Sequence, residues 1–186
     1  MNIATIFLVL VYTYVILSLI WARFSFFNVK SSKARLSALL YDPIVLIHIG
    51  FFYFHIFKAN TSPQNWAIIL ACLIYIGALL LFWWGIITAK KLDFASGNFS
   101  GQIITSGPFR FSRHPFYLSY TLIWTTSTLL FNSPALWITL IYLVVFYLSS
   151  AKSEEKAILS SEQADQYRTY CNETNMFIPR IKSWKN

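Results

Sequence analysis

The sequence predicts an all-α polytopic membrane protein with five transmembrane helices, the fourth and fifth forming a tight hairpin, followed by a cytoplasmic C-terminal helix and tail. Three observations lead there. Hydrophobic residues fill 56% of the 186 positions and charged residues only 12%, against roughly 25% charged in soluble domains. The apolar residues gather into runs close to the ~20 helical residues that cross a hydrocarbon core. The basic residues fall on alternate connections between those runs. Residues 1–186 read as one membrane domain, with three crossings in 1–88 and a loop, hairpin and tail in 89–186.

The first run is Ile3–Trp21. No basic stretch precedes it and no small-residue cleavage site follows, so a crossing is expected rather than a secretory signal. The second, Leu36–Phe57, carries Asp42-Pro43 near its start. Proline suits the first turn of a helix, so this crossing is expected to begin at Pro43. The third is Trp66–Thr88, the fourth Pro115–Phe131 and the fifth Pro134–Ser150. Only Asn132-Ser133 separates the last two, which calls for an antiparallel hairpin. All five must be helices, because lipid offers no partners to backbone polar groups. Beyond Ser150, residues Lys152 to Thr174 are expected to continue the fifth helix as a polar extension. Met176-Phe177-Ile178-Pro179 is apolar again and is expected to lie back on the core or membrane surface. Trp184, between Lys182 and Lys185, reads as an interfacial anchor.

Charge sets the orientation. The first loop holds Arg23, Lys30, Lys33 and Arg35, the third holds Lys90, Lys91, Arg110 and Arg113, and six more basic residues follow the fifth run. Only Lys58 lies on the other side, so the positive-inside rule puts the N-terminus outside and the C-terminus in the cytoplasm. This segregation accounts for most of the net charge of +8. Spread over three segments, the basic residues do not form the clustered face that nucleic-acid binding needs. Cys72 lies in an apolar run and Cys171 in the tail, neither with a Cys or His at ligand spacing, so no disulfide or metal site is expected.

Chemistry concentrates in Gly107-Pro108-Phe109-Arg110-Phe111-Ser112-Arg113-His114-Pro115-Phe116-Tyr117-Leu118-Ser119. Charge at a membrane boundary costs several kcal/mol per residue unless paired or hydrated. Gly107-Pro108 marks a turn, and Pro115 suits the first helical position, which puts His114 near the N-cap. The N–H groups of Phe116, Tyr117 and Leu118 would then face the loop and, with Arg113, offer a seat for a carboxylate or phosphate. His114 and Tyr117, three apart, share a helix face. The plainer reading of Arg113 and His114 is head-group anchoring, and for an isolated Arg-His-Pro it is favoured. Glu154-Glu155, about one turn past the fifth run, reaches the same level, and the hairpin can bring the two motifs together. His48, His55 and Asp42 are expected to be structural, the histidines being about two turns apart and too distant to share a metal.

Together these pieces resemble the isoprenylcysteine carboxyl methyltransferase and phospholipid methyltransferase family of integral membrane enzymes. The resemblance rests on Gly107-Pro108-Phe109-Arg110, Arg113-His114-Pro115-Phe116-Tyr117, Glu154-Glu155, Tyr167-Arg168-Thr169-Tyr170 and Pro179-Arg180, in order across residues 101–181. Ser119 stands where the family usually has Gly, and Gln163-Ala164 where Phe-Gly is frequent. The resemblance implies methyl transfer from S-adenosylmethionine in a pocket at the cytoplasmic end of the last two crossings, capped by the tail. Carried over, His114, Tyr117, Leu118 (by its backbone), Glu154 and Glu155 are expected to hold the cofactor. Arg113, Glu155 and, as second choice, Arg110 are expected to act on the reaction, Arg113 orienting a carboxylate. The acceptor is expected to be an amphiphilic lipid or lipidated molecule drawn from the membrane, with no nucleic acid and no metal. Candidate acceptors are a prenylated cysteine carboxylate, an amine head group, or an isoprenoid or phenolic lipid.

Two other classes fit parts of the pattern. An NADPH-dependent sterol-type reductase uses a similar architecture, and Tyr170-Cys171 echoes its tail, but little chain remains to hold a dinucleotide. A non-catalytic scaffold could use the basic face on anionic lipid.

Overall fold

The computed structural model describes residues 2–27, 32–59, 63–90 and 103–178, with backbone alone for 32–36 and 90. Among these the protein is all-α: α1 Ile3–Ser25, α2 Ser32–Phe57, α3 Asn65–Lys90, α4 Pro115–Phe131, α5 Pro134–Leu159 and α6 Ala164–Glu173, with a 3-10 turn at Gly107–Arg110 before α4. Four helices are long and apolar enough to cross a membrane: Ile3–Ser25, Ser37–Phe57, Asn65–Ala89 and Pro134–Leu159. This makes a multi-pass membrane protein. The fourth run forms α4 with the expected bounds, but at 17 residues it rises only ~25 Å, short of a ~30 Å hydrocarbon core. Its ends explain the length. Pro115 occupies the first turn, and Asn132 closes the helix in the left-handed conformation (φ 45°) with its N–H donating to the Thr128 carbonyl.

Two expectations are corrected. Helix α2 does not begin at Pro43 but runs through it from Ser32. A mid-helix proline disturbs the carbonyls one turn back, and here the Tyr142 hydroxyl donates to the Leu40 carbonyl (3.1 Å). Nor is Lys152–Thr174 one helix. The chain turns at Ser160–Gln163, where Ser160 and Ser161 donate through their hydroxyls to the carbonyls of Lys156 and Ile158. Serine competes well for terminal carbonyls, so α5 stops at Leu159 and α6 folds back over the end of the bundle. Lys30, Lys33, Arg35, Lys91, Pro179, Arg180, Lys182, Trp184 and Lys185 lie outside the described side chains.

Helix α3 packs between α1 and α4, and α2 packs on α5. Helices α1 and α2 meet through long side chains: Tyr12 stacks on Phe52 at 3.6 Å, Thr13 and Tyr53 share a hydrogen bond of 2.7 Å, and Arg23 pairs with Asp42 at 3.1 Å. The core is built around Tyr12, Phe52, Tyr75, Trp124, Leu136 and Tyr147. Leu10, Leu17, Leu73, Leu80, Ile138 and Ile141 face outward, as lipid-facing positions should. His48 is fully buried, its ring nitrogens 2.7 Å from Thr139 Oγ1 and 2.6 Å from Ser127 Oγ. It ties α2 to α5 and α4, the structural role expected of it. His55 stacks on Phe131 at 5.2 Å.

A second cluster, Phe26, Phe82, Phe109 and Phe116, fixes the loop that enters α4. Two glycines make room for it. A Cβ on Gly85 would lie 2.8 Å from Phe116 Cε1, and Gly107 adopts φ +59° against the Thr88 side chain. Gly85→Ala should therefore cost about 1–3 kcal/mol through overpacking, read as a lower melting temperature in detergent. Gly77→Ala is the control. It has nothing within 4 Å, and alanine's better helix propensity should leave stability equal or higher.

Candidate active site

The loop Ser112–His114 leads into the first turn of α4, with His114 at the N-cap and Pro115 first in the helix. Arg113 turns towards α5 and α6. Its Nε lies 2.9 Å from Glu155 Oε1 and its Nη2 3.3 Å from Oε2, while Nη1 donates to the carbonyls of Cys171 (3.3 Å) and Thr174 (2.5 Å). All three guanidinium nitrogens are thus engaged. Both partners are largely buried, with side chains 12% and 13% exposed. Burial alone lowers the Arg113 pKa, but the hydrogen bond and charge of Glu155 outweigh it and hold it above the ordinary value. Arg113 is a permanent cation.

His114 lies between the two glutamates. Its Nε2 is 3.0 Å from Glu155 Oε1 and its Nδ1 3.6 Å from Glu154 Oε2. Its ring stacks on Tyr117 at 5.6 Å, so the expected shared face is present, and the Tyr117 hydroxyl donates to Glu154 Oε1. The loop motif and Glu154-Glu155 are therefore brought together. The two carboxylates differ in access. Glu155 is 13% exposed and spoken for, whereas Glu154 is 50% exposed and open to a ligand.

The tail meets the chain just ahead of the N–H groups expected to form an anion seat at the start of α4. The Arg113 N–H donates to the Asn175 carbonyl (3.0 Å), His114 N–H to Met176 (3.2 Å) and Leu118 N–H to His114 (3.0 Å). Ser112 Oγ also donates to the Met176 carbonyl, and Phe177 lies 5.9 Å from the His114 ring. The tail thus fastens Arg113 and His114, just ahead of the helix, through three consecutive carbonyls, Thr174 to Met176. Helix α6 sets that course. Tyr170 donates through its hydroxyl to the Phe109 carbonyl, and Thr174 Oγ1 donates to the Arg110 carbonyl at 3.3 Å. Tyr167 and Tyr170 are buried, and burial first, with the charge of Glu155 adding, keeps both phenols above their ordinary pKa. The Arg110 side chain is exposed, and its residue meets the tail through its carbonyl. Ser119 is fully buried with its hydroxyl folded back onto the Phe116 carbonyl (2.8 Å). Pro179-Arg180 lies outside the described residues.

Sequence reading missed three tyrosines beneath the carboxylates. Tyr117 stacks on Tyr147 at 5.3 Å, and Tyr120 lies 5.8 Å from Tyr147. The Tyr147 hydroxyl accepts from Trp124 Nε1 (2.8 Å) and lies 3.1 Å from the Tyr41 hydroxyl. The signal was spacing: Tyr147 precedes Glu154 by seven, and Tyr120 follows Tyr117 by three, each pair on one helix face. Among the described residues no cluster of His, Cys, Asp and Glu could hold a metal.

A multi-pass helical bundle with these residues gathered at one end belongs with the integral membrane methyltransferases. Residues 66–162, just over half the chain, match the phospholipid methyltransferase family, and the protein belongs to that family. No curated protein matches it. The matched region includes His114, Tyr117, Glu154 and Glu155 but stops before α6, and it lends no support to the reductase alternative.

Removing Arg113 should free the tail. Arg113→Ala leaves the buried Glu155 uncompensated, at a cost of about 3 kcal/mol. Limited proteolysis should then cut between α5 and α6 at protease levels that leave the parent intact. Arg113→Lys should rescue only in part, because one ammonium cannot serve a bidentate carboxylate and two carbonyls at once.

Proposed function

We propose that this protein transfers a methyl group from S-adenosylmethionine to an amphiphilic acceptor in the membrane, either a carboxylate of the isoprenylcysteine type or a lipid head group. The observation that carries the reading is the convergence of His114, Tyr117, Glu154 and Glu155 within a region that matches a methyltransferase family. The donor set fits the cofactor. A half-exposed carboxylate at Glu154 suits ammonium or ribose hydroxyl groups, and the stacked rings of His114 and Tyr117 offer an aromatic face to a cationic sulfonium.

When bound, the cofactor supplies an electrophilic methyl group. Glu154, Tyr117 and His114 would hold the cofactor, which would offer that methyl group to a lone pair of the acceptor. In-line displacement asks the protein for alignment and a dry site more than for strong acids or bases. Glu154, Tyr117 and His114 bind and orient. Glu155 positions His114 through its Nε2 and fastens Arg113, so Arg113 acts as a positioning residue rather than as a group that meets the acceptor. Arg110 contributes its carbonyl to the tail contact, and Leu118 contributes its backbone to the first turn of α4.

In the same reading α4 is the fourth of five crossings, shorter than the rest but tied to α5 as an antiparallel hairpin. The N-terminus lies outside, and the carboxylates, α6 and the tail lie in the cytoplasm. The separation of basic residues supports this orientation, and the contacts Thr128 to Leu136, Trp124 to Tyr147 and Tyr117 to Glu154 support the hairpin.

S-adenosylhomocysteine should raise the melting temperature of the detergent-purified protein. Glu154→Ala and His114→Ala should shrink the shift, and Glu155→Ala, which also loosens the tail, should abolish it. No shift in the parent at saturating ligand would sink the reading. Incubation with methyl-labelled cofactor and a lipid extract, followed by chromatography, identifies the acceptor.

A further inference from the structure

Arg113 is committed to Glu155 and two tail carbonyls, so an anionic group on the acceptor needs another cation. The bundle provides one on α1. Arg23 pairs with Asp42 of α2 through Nη2 (3.1 Å) and, more weakly, Nε (3.4 Å). Among the described residues its Nη1 has no partner. The pair is reachable, with side chains 27% and 45% exposed.

Its position is informative. Helix α1 rests on α3 and α2 on α5, and Arg23–Asp42 bridges the seam between α1 and α2. Tyr41, next to Asp42, is hydrogen-bonded to Tyr147, which stacks on Tyr117, whose hydroxyl holds Glu154. Tyr120 borders the same stack, its ring 6.4 Å from Tyr117 and 5.8 Å from Tyr147. A tyrosine-lined wall thus runs from the accessible carboxylate to an incompletely used guanidinium at the membrane-facing seam. Arg23, Tyr41 and Asp42 all precede the region that matches the family.

We propose that Arg23 binds the anionic group of the methyl acceptor, a carboxylate or phosphate entering between α1 and α2, and that Asp42 holds the guanidinium in place until that group displaces it. This rests on the methyltransferase reading above. The planar fork of arginine suits either anion. An acceptor seated there lies along the tyrosine wall, with its apolar chain in the seam between α1 and α2. Arg23 is then a specificity-determining residue, set apart from the cofactor-binding groups.

The test uses full-length protein in mixed micelles with methyl-labelled cofactor and three acceptors in separate arms: N-acetyl-S-farnesylcysteine as carboxylate, phosphatidylethanolamine as phosphate, and farnesol as a neutral isoprenoid. For whichever anionic acceptor is methylated, Arg23→Gln should raise KM about tenfold with kcat within about twofold, the pattern of lost ground-state binding. Arg23→Lys should recover part of the loss. Asp42→Asn should lower KM, because it removes the competitor for the guanidinium. A purely structural ion pair would make the Arg23 and Asp42 variants fail alike, so parallel loss overturns the proposal. An unchanged KM in Arg23→Gln overturns it too, as does methylation of farnesol alone. The melting shift with S-adenosylhomocysteine should survive in both variants. If the parent shows no shift, the methyltransferase reading itself fails and this inference falls with it.

Discussion

The site depends on one buried ion pair. Arg113 and Glu155 are both nearly excluded from water, and desolvating two charges costs several kcal/mol per ion before their attraction is counted. Such a pair persists only where its remaining hydrogen-bonding capacity is met. Here it is met by His114 on the carboxylate and by the Cys171 and Thr174 carbonyls on the guanidinium. The entrance of α4, the end of α5, the end of α6 and the start of the tail are therefore joined through a single guanidinium. The tail's course over Ser112–His114 follows from that junction rather than from any apolar core of its own.

What sequence could disclose follows from where the information resides. Side-chain patterns announced the α4 bounds, because Pro115 and the Asn132–Pro134 link punctuate the chain unambiguously. The meeting of His114 and Tyr117 with Glu154-Glu155 was also legible, through helical spacing and a two-residue connection. The return of Met176-Phe177-Ile178 towards the core was legible in its apolar character; the donors the tail meets were not, because its contacts are made by the carbonyls of Thr174, Asn175 and Met176, and a backbone acceptor leaves no trace in residue identity. Pro43 misled for a related reason: tertiary contact from Tyr142 overrides a local boundary signal. The serines at 160 and 161 look like ordinary polar helix residues until their hydroxyls take the last carbonyls of α5. Tyr41, Tyr120 and Tyr147 were hidden among many aromatics, for which a lipid-facing or interfacial position is the default.

The adjacent glutamates divide their contacts between the buried anchor and the accessible face. Neighbouring residues on an α-helix point about 100° apart, so Glu154 and Glu155 reach opposite nitrogens of His114 and otherwise different partners. Glu155 looks towards α6 and the loop, where Arg113 and His114 absorb its charge. Glu154 looks along the face shared with Tyr147 and, among the described residues, meets the Tyr117 hydroxyl and the second nitrogen of His114. One carboxylate builds the wall and the other stays available. His114, held between them, joins the accessible carboxylate to the Arg113–Glu155 pair and, through the Cys171 and Thr174 carbonyls, to the start of the tail. Residues beyond the family match are thereby tied to residues within it.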